Sequence, residues 1–401
     1  MKGKQKSGSI FTLGALILLS SGLSNPSGGR LETLKHELET AADSAERSNI
    51  VRQFVDKLRT SGRPLIEDST VFIIYEGAAQ KVCFAGDLNR WNPHSDSLTR
   101  IPKTNLFYLA LNVPAAARFE YKLVVDSSWI LDPLNRQQAE GGYGFNSEIT
   151  MPLYTEPPEI EYRHDIPHGT LDTLSIHSTV LRRSHPLFVY LPPDYETSRQ
   201  TRYPSIYVTD GGEYLTLAKM KNVLDNLIAD KRIRPVIAIF LDPRTDIRNA
   251  ATNMRMRDYA LSDSFVTFVT REVRATLLKK YRISPRPTDT AIMGASLGGL
   301  IAAYTALTHP NIFGLAASQS PSFWWKNDTL ITMVARSPRK HIRFYIDTGT
   351  IHDAQEKTRL MKSILLEKGY TLHYEEHPES HNWVNWRARI SHILTYFWGL
   401  K

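Results

Sequence analysis

The 401-residue sequence has a single cysteine, Cys83, and no apolar run long enough to cross a bilayer. One cysteine cannot close an intramolecular disulfide, and Cys/His spacings typical of zinc ligation are absent, so we expect neither a disulfide scaffold nor a structural zinc site. A content of 42% hydrophobic and 22% charged residues excludes a collagen-like, coiled-coil or largely disordered protein. At roughly 100–200 residues per domain, the length predicts two or three domains.

The sequence also lacks a strong excess of charge of one sign. Lys and Arg number 49 against 41 Asp and Glu, which gives a net charge of +8. Three of those positive charges belong to Lys2, Lys4 and Lys6, and their removal with a leader peptide would leave +5. No basic stripe or nucleic-acid-binding motif is present, so we predict no nucleic-acid partner and at most a moderate preference for anionic ligands.

Residues 1–24 follow the order of a secretory signal peptide. The three lysines precede an apolar stretch over residues 10–19, and small residues such as Ser20 and Gly22 come next. The apolar stretch is about half of the roughly 20 residues that a membrane-spanning helix needs. We therefore predict a cleaved signal peptide and no stable membrane anchor, which would place the mature protein in the periplasm or outside the cell.

Two further segments precede the C-terminal half. Residues 25–64 join a Gly/Ser/Pro linker to apolar residues at helical spacing, which predict one long helix or two shorter ones. Residues 65–153 consist of short β-rich runs separated by turn residues. Strands at this spacing predict a small β-sandwich.

The β-rich segment resembles the early-set immunoglobulin-like module of glycogen-binding and starch-branching proteins, in residues 86–93, 120–126, 129 and 132–133. In glycan-binding members the matching positions line a sugar platform, and here they are Trp91, Lys122, Trp129 and Asn146. An indole face can stack on a pyranose while amide and ammonium groups bind its hydroxyls. The other interpretation is that these side chains only hold the sandwich against a catalytic domain.

From residue 165 to residue 401, apolar strands alternate with helical segments. This order predicts an α/β domain with a mostly parallel sheet and helices on both faces. Residues 290–300 contain a short apolar strand, a G-x-S-x-G motif at 294–298 and the start of a helix, which is the context of a nucleophile elbow. Ser296 is therefore the predicted nucleophile, and the helix start behind it favours a developing oxyanion.

A serine hydroxyl needs a base, and in an α/β-hydrolase that histidine comes last in the chain. His381 lies in a loop after the last predicted strand. Asp353 is the preferred acid because it follows a glycine turn and can reach the histidine loop, and Asp347 at the strand end is the alternative. His377 lies four residues before His381, but Pro378 breaks helical geometry and no third ligand is evident, so we predict no metal and no cofactor.

The oxyanion hole requires two backbone N–H donors. One is expected from Leu297, directly after the nucleophile. The other is expected from the loop after an earlier strand, where Gly211 and Gly212 let the main chain approach a tetrahedral intermediate. The sequence does not distinguish between these two glycines.

The C-terminal domain is similar to the enterochelin esterase and esterase D branch of the α/β-hydrolases. The similarity lies in residues 191–195, 203–204, 210–212, 294–299, 318–325, 381–383 and 386–387. It implies a serine esterase, and together with the early-set module it matches the two-domain layout of the enterochelin esterases. Those enzymes hydrolyse a cyclic tri-ester of serine with catechol arms, although feruloyl and acetyl-xylan esterases share most of these motifs.

A loop rich in arginine is expected to lie over the nucleophile, because loops at the carboxyl ends of parallel strands hold ligands. Its guanidinium groups suit an anionic catecholate, or they are simply paired with neighbouring acids. The predicted substrate-binding residues are Arg244, Arg248, Arg255, Trp324 and Trp383. Two other functions stay open, namely a plant-polysaccharide esterase whose β-module holds the sugar, and a non-catalytic glycan-binding protein.

Overall fold

A computed structural model describes residues 29–246 and 248–400, so the predicted signal peptide lies outside the described residues. The chain divides into two compact units between Phe54 and Val55. Where the sequence allowed one helix or two, the structure has two, α1 (Arg30–Thr40) and α2 (Ser44–Ser61). No helix in the described part of the chain is long and apolar enough to cross a membrane.

Residues 65–150 form ten short strands. They are β1 (Leu65–Glu67), β2 (Thr70–Glu76), β3 (Val82–Gly86), β4 (Asp96–Ser97), β5 (Thr99–Arg100), β6 (Leu106–Asn112), β7 (Arg118–Val125), β8 (Ser128–Ile130), β9 (Gln138–Gly141) and β10 (Gly144–Thr150). One antiparallel sheet has the order β1-β2-β6-β5, and the other has the order β4-β3-β7-β10-β9 with β8 paired to β7.

Both sheets of this β-module contribute to one hydrophobic core. Ile73 of β2 and Phe107 of β6 belong to the same buried cluster as Phe84 of β3 and Tyr121 of β7. The rings of Phe84 and Tyr121 stack with their centroids 5.4 Å apart. Residues 65–150 thus form two antiparallel sheets over a shared core, and the finer assignment to the immunoglobulin-like class stays a prediction.

The C-terminal domain is built on one eight-stranded sheet. Its strands are β11 (Thr170–Ser178), β12 (Arg183–Leu191), β13 (Ser205–Thr209), β14 (Ile237–Leu241), β15 (Thr290–Ala295), β16 (Leu315–Gln319), β17 (Arg343–Gly349) and β18 (Thr371–His377). The order is β11-β12-β14-β13-β15-β16-β17-β18. The β11–β12 and β12–β14 pairs are antiparallel and all the later pairs are parallel.

In the described part of this domain ten α-helices lie between the strands or, for the last two, after β18. They are α3 (Gly211–Thr216), α4 (Met220–Ala229), α5 (Arg255–Tyr259), α6 (Asp263–Thr267), α7 (Arg274–Lys280), α8 (Leu297–Thr308), α9 (Trp325–Arg336), α10 (Gln355–Glu367), α11 (Trp383–Arg387) and α12 (Ile390–Trp398). A π-helical stretch, Phe268–Val273, joins α6 to α7.

Two hydrophobic clusters cover the two faces of the sheet. Alternation along the strands explains this division, since Ile292 of β15 belongs to one cluster while its neighbours Ala291 and Met293 belong to the other. Parallel strands buried on both faces are typical of α/β proteins. The loops that follow β13, β15, β17 and β18 all leave the same edge of the sheet, so candidate functional residues far apart in sequence meet there.

Candidate active site

Ser296 lies at a sharp turn between β15 and α8. Its φ of 58° and ψ of −121° are strained for a residue with a Cβ, which is the conformation of a nucleophile elbow. The flanking positions leave no room for side chains, because a Cβ on Gly294 would lie 2.0 Å and one on Gly298 2.5 Å from the Thr209 hydroxyl oxygen. The two glycines of the motif are thus required by the close packing of the turn.

His381 and Asp353 meet after β18 and β17 respectively. The Nδ1 atom of His381 lies 2.6 Å from Oδ1 of Asp353. The imidazole is part-exposed, whereas the Asp353 side chain is fully buried. The Trp386 indole packs against the imidazole of His381. The two ring planes are perpendicular and the ring centroids are 5.0 Å apart.

The second oxygen of Asp353 is held by two donors. The Ser320 hydroxyl donates to Oδ2 over 2.5 Å, and the backbone N–H of Gly349 donates over 2.6 Å. Burial would raise the pKa of Asp353, but hydrogen bonding to His381 and Ser320 and the charge of the imidazole keep that pKa below its ordinary value. Asp353 is therefore an ionised, rigidly placed partner for the imidazole.

Asp347, the alternative acid, lies fully buried on β17 and accepts a hydrogen bond from Nε2 of Gln319 over 3.2 Å. Burial raises the pKa of Asp347 well above its ordinary value. Its hydrogen bond is to Gln319 and not to His381, so the geometry favours Asp353.

The hydroxyl of Ser296 has a different partner in this structure. Its Oγ lies 3.3 Å from Oγ of Ser322 and is not hydrogen-bonded to His381. Bonds between nucleophile and base are often formed only when substrate closes the site. The structure thus brings Asp353 to His381, while the contact of His381 with Ser296 is not made.

The expected oxyanion donors lie at two helix starts. Leu297 is the first residue of α8, where the backbone N–H has no carbonyl partner within the helix. Gly211 and Gly212 open α3, but the N–H of Gly212 already donates to the Asp242 carboxylate over 3.1 Å. This leaves Gly211 as the better candidate of the two.

The arginines of the overlying loop differ in their partners. Arg244 is bonded to Asp242 and to Glu213. Arg255 is held by both oxygens of Asp210 and donates to the carbonyl of Ala295, one residue before the nucleophile. These two guanidinium groups are therefore bound to acidic side chains of the protein itself, which agrees with the alternative that the loop arginines are ion-paired.

Arg248 differs, because its side chain is 88% exposed and its nearest acidic atom is 3.7 Å away on Asp246. Of the two candidate tryptophans, Trp324 is 53% exposed just before α9. Trp383 packs edge-on against Tyr214 and Trp386, so only part of its indole is accessible. Arg248 and Trp324 are the members of the predicted set that are free to contact a ligand.

The predicted sugar-binding residues of the β-module are partly engaged elsewhere. The indole N–H of Trp91 donates to Asp87 over 3.0 Å, and the Asn146 amide donates to Glu120 over 2.7 Å. Trp129 on β8 is 47% exposed, and Lys122 lies part-buried on the adjacent strand β7. The registers of β8 and β10 on β7 place Trp129 and Asn146 on the same face of the sheet as Lys122, and sugar binding by this face stays a prediction.

Sequence reasoning missed a set of contacts between the β-module and the loops that carry His381 and Asp353. Asn382 donates its amide to Asp87 over 3.1 Å, and the imidazole Nε2 of His352 lies 3.0 Å from the Leu88 carbonyl oxygen. Ile351 is part of the hydrophobic core of the β-module. Asp87 and Leu88 stand in the motif that was interpreted as sugar-binding, and nothing in the sequence indicated their partners.

The backbone adds another contact to this set. The N–H of Arg118 donates to the Pro378 carbonyl over 3.0 Å, three residues before His381. The Arg118 side chain is fully buried between Glu120 and Glu148, which fixes the start of β7. The histidine loop therefore rests on a rigid part of the β-module.

Known proteins share this chain's C-terminal sequence and its fold. The Esterase family model, described as "Putative esterase", matches residues 178–397. The iron(III) enterobactin esterase of Escherichia coli (strain K12) is 26% identical over 197 residues, which is 49% of this chain and 47% of that protein. The chain thus spans about half the length of that relative.

A second relative is the endo-1,4-beta-xylanase/feruloyl esterase of Xylanibacter ruminicola, which is 27% identical over 202 residues, or 48% of this chain and 27% of that protein. Among solved structures, the ferric enterobactin esterase from Salmonella typhimurium superposes with a TM-score of 0.72 at 18% identity. That match covers 86% of this chain and 98% of the other, and it extends the similarity in fold to the β-module.

The family match covers more than half of the chain and includes Ser296, Asp353 and His381. The predicted similarity to the enterochelin esterases is confirmed by the relatives and by the fold. Membership of a hydrolase family also argues against the alternative of a purely glycan-binding protein. The chain belongs to the esterase family, is similar in sequence and fold to the enterobactin esterases, and is a carboxylic ester hydrolase.

Proposed function

We propose that the protein is an exported serine esterase that hydrolyses a catecholate trilactone of the enterochelin type. The catalytic groups are Ser296 as nucleophile, His381 as general base and acid, and Asp353 as the group that orients the imidazole. The observation that carries this mechanism is the 2.6 Å contact between His381 and the buried Asp353, at the sheet edge from which the strained Ser296 also projects.

The chemistry follows from these positions. His381 Nε2 takes the proton of the Ser296 hydroxyl as Oγ attacks the ester carbonyl carbon. The carbonyl oxygen becomes an oxyanion, which the N–H groups of Leu297 and Gly211 stabilise. Collapse of this intermediate expels the alcohol, which receives its proton from His381. Water then attacks the acyl-enzyme by the same route and releases the acid.

The substrate assignment rests on the relatives and on two exposed groups, Trp324 close to Ser322 and Arg248 in the arginine-rich loop. Both the Escherichia coli relative and the Salmonella typhimurium structure are enterobactin esterases by name. Aromatic catechol arms can stack on Trp324, and a ferric complex that carries negative charge can approach the exposed guanidinium of Arg248.

A second exposed aromatic group comes from the β-module. Tyr143 is fully exposed at the tip of the β9–β10 hairpin. This tip lies beside the site, because a Cβ added to the neighbouring Gly142 would lie 3.9 Å from Nε1 of Trp383. A bulky substrate bound at Ser296 would therefore extend toward the hairpin.

The second candidate function is that of a carbohydrate esterase acting on feruloyl or acetyl-xylan esters. The match to the Xylanibacter ruminicola protein favours it, as does the exposed face of Trp129. In this case the β-module would hold the sugar while the C-terminal domain cleaves its ester. Affinity electrophoresis in xylan or glycogen measures this binding directly, with Trp129→Ala as the matched variant.

The mechanism and the substrate are tested together with three esters. Wild-type protein and Ser296→Ala are assayed on p-nitrophenyl acetate, on a catecholate trilactone and on methyl ferulate. We expect Ser296→Ala to lose activity on all three, and the wild type to prefer the trilactone in kcat/KM. Wild-type rates for Ser296→Ala would overturn the mechanism, whereas preference for ferulate would leave the mechanism and change the substrate.

Export is tested by fractionation of the producing cell. We expect the mature protein in the periplasm or the medium, with an N-terminus near residue 25 by mass spectrometry. Recovery of the full chain with Met1 from the cytoplasm would contradict the predicted signal peptide.

A further inference from the structure

We propose that Glu375, His377 and His392 form a binding site for a zinc-class transition-metal ion, separate from the Ser296 site. Glu375 and His377 lie on the edge strand β18, and His392 lies on α12. One potential ligand atom from each side chain lies within 4.8 Å of the other two. Two imidazoles and one carboxylate are a donor set typical of zinc sites that keep a fourth position for water.

The arrangement follows from strand geometry. Side chains two residues apart project from the same face of a strand, so His373, Glu375 and His377 form a row along β18. The C-terminal helix α12 brings His392 to this row. The sequence spacing suggested His381 as a possible second metal ligand beside His377. In the tertiary structure the nearby histidine is instead His392, which lies 15 positions after His377.

A single carboxylate oxygen is the centre of the cluster. Oε2 of Glu375 lies 2.8 Å from Nε2 of His377 and 2.9 Å from Nδ1 of His392. Tetrahedral zinc with bonds of about 2.0–2.1 Å places its ligand atoms roughly 3.3 Å apart. The two histidine nitrogens would therefore move about half an ångström away from Oε2, and they already lie within 4.8 Å of each other.

His373 supplies the outer support that metal ligands usually have. Its Nε2 lies 2.5 Å from Oε1 of Glu375, which leaves Oε2 to face the other two histidines. The His373 ring is itself held between Tyr345, at a centroid distance of 5.3 Å, and Tyr396, at 5.2 Å. Such a second layer of hydrogen bonding and packing orients a ligand before the ion arrives.

The donor types of the cluster also suit a transition metal. Imidazole ligands favour Zn²⁺ over Mg²⁺ and Ca²⁺, which prefer oxygen.

The cluster is open to solvent, and it lies between β18 and α12. The side chains of His377 and His392 are 24% and 45% exposed, so an ion can enter from solvent. A bound ion would fasten the end of β18 to the C-terminal helix. It takes no part in the proposed hydrolysis, since none of its ligands is Ser296, His381 or Asp353.

Metal content tests the proposal without reference to activity. Tag-free full-length protein is stripped with EDTA, dialysed against Zn²⁺ and assayed for zinc per chain by mass spectrometry. We expect one zinc ion per wild-type chain and none for the double variant His377→Gln/His392→Gln. His373→Gln should retain the site with about 10–100-fold weaker affinity, because it removes only the outer support. The exposed His341→Gln is the matched control and should bind as the wild type does.

Co²⁺ provides a second measurement that reports the ligands directly. The wild type should develop the visible absorption bands of low-symmetry, four- or five-coordinate cobalt, and His392→Gln should lose them. Since His392 lies part-exposed on a helix surface, this single variant is expected to fold, which circular dichroism checks. Absence of zinc uptake by the wild type, or equal uptake by the wild type and the double variant, would overturn the proposal.

Discussion

The Asp87 carboxylate of the β-module accepts a hydrogen bond from the side chain of Asn382, the residue directly after His381, over 3.1 Å. The oxygen that accepts from Asn382, Oδ2, also accepts from the backbone N–H of Glu120. The other oxygen, Oδ1, accepts from the indole N–H of Trp91. Asn382 is also the N-cap of α11, where its side chain accepts from the Asn385 N–H. The β-module therefore helps to hold the loop that carries His381, the proposed general base.

We predict that Asp87→Asn lowers kcat several-fold on a small ester while the enzyme stays folded. An asparagine has an NH₂ group in place of one acceptor oxygen, so it loses either the Trp91 contact or the pair of contacts with Asn382 and Glu120, and the side chain no longer holds the loop as the carboxylate does. A poorly positioned imidazole lowers kcat, even when the substituted residue lies far from the reacting atoms. The measurement is kcat and KM on p-nitrophenyl acetate, which is too small to reach the β-module.

Asp126→Asn is the matched control for this prediction. Asp126 is also an aspartate of the β-module, but it binds the N–H groups of Gln80 and Lys81 at a turn. The Asp126→Asn substitution should therefore leave kcat unchanged. Equal rates for wild type and Asp87→Asn would show that the loop is held without this contact.

The same carboxylate predicts a pH dependence of stability. Burial, together with the nearby Glu120, raises the pKa of Asp87 to about 6, although Arg118 opposes the shift. The native state therefore binds a proton that the unfolded state releases between about pH 4 and 6, so Asp87 makes the protein less stable as the pH rises through this window. Relative to Asp87→Asn, the wild type should lose on the order of 2–3 kcal/mol of unfolding free energy. Urea unfolding of both proteins near pH 4 and pH 7 measures this difference, and parallel stabilities at the two pH values would contradict it.

The two candidate acids should respond differently to the same substitution. Asp353→Asn is expected to lower kcat by about 10⁴-fold, because the imidazole loses the partner that sets its tautomer. Asp347→Asn should change kcat less than about threefold, since Asp347 is bonded to Gln319 and not to His381, and an asparagine of the same shape can keep that bond. A larger loss for Asp347→Asn than for Asp353→Asn would reverse the assignment.

Arg255 is predicted to stabilise the elbow rather than to bind substrate. Arg255→Met would leave the buried Asp210 without its ion pair and lower the unfolding free energy by about 3–5 kcal/mol. Adding Asp210→Asn should recover part of that loss, which a double-mutant cycle in urea measures. Arg248→Ala should change stability by less than about 0.5 kcal/mol, because its side chain is exposed. A normal stability of Arg255→Met would count against this role.

Tyr143 provides a test of the extended substrate. Tyr143→Ala should raise KM for a catecholate or feruloyl ester several-fold and leave KM for p-nitrophenyl acetate unchanged, because only a bulky ester reaches the β9–β10 tip. Tyr162→Ala removes a half-exposed aromatic ring that stacks on His168 and serves as the control. The same KM values for wild type and Tyr143→Ala would exclude the hairpin from substrate binding.

Much of this protein is determined by local sequence. The alternation of apolar strands and helices predicts the α/β domain because burial on both faces of a parallel sheet demands it. The G-x-S-x-G motif predicts the turn at Ser296, since only glycine fits beside Thr209 at positions 294 and 298. These short-range requirements were sufficient to indicate the esterase family, which the family match confirms.

The tertiary structure decided the contacts between residues that are distant in sequence. The motif around Asp87 resembles a sugar-binding signature, yet its carboxylate contacts Asn382, 295 positions later. The arginines suggested an anion site, but packing placed Arg244 and Arg255 beside buried acids, and an unpaired buried charge is too costly to keep. His392 joins Glu375 and His377 only because α12 packs against β18. Pairings of this kind depend on how complete elements pack, and no residue pattern within a single element encodes them.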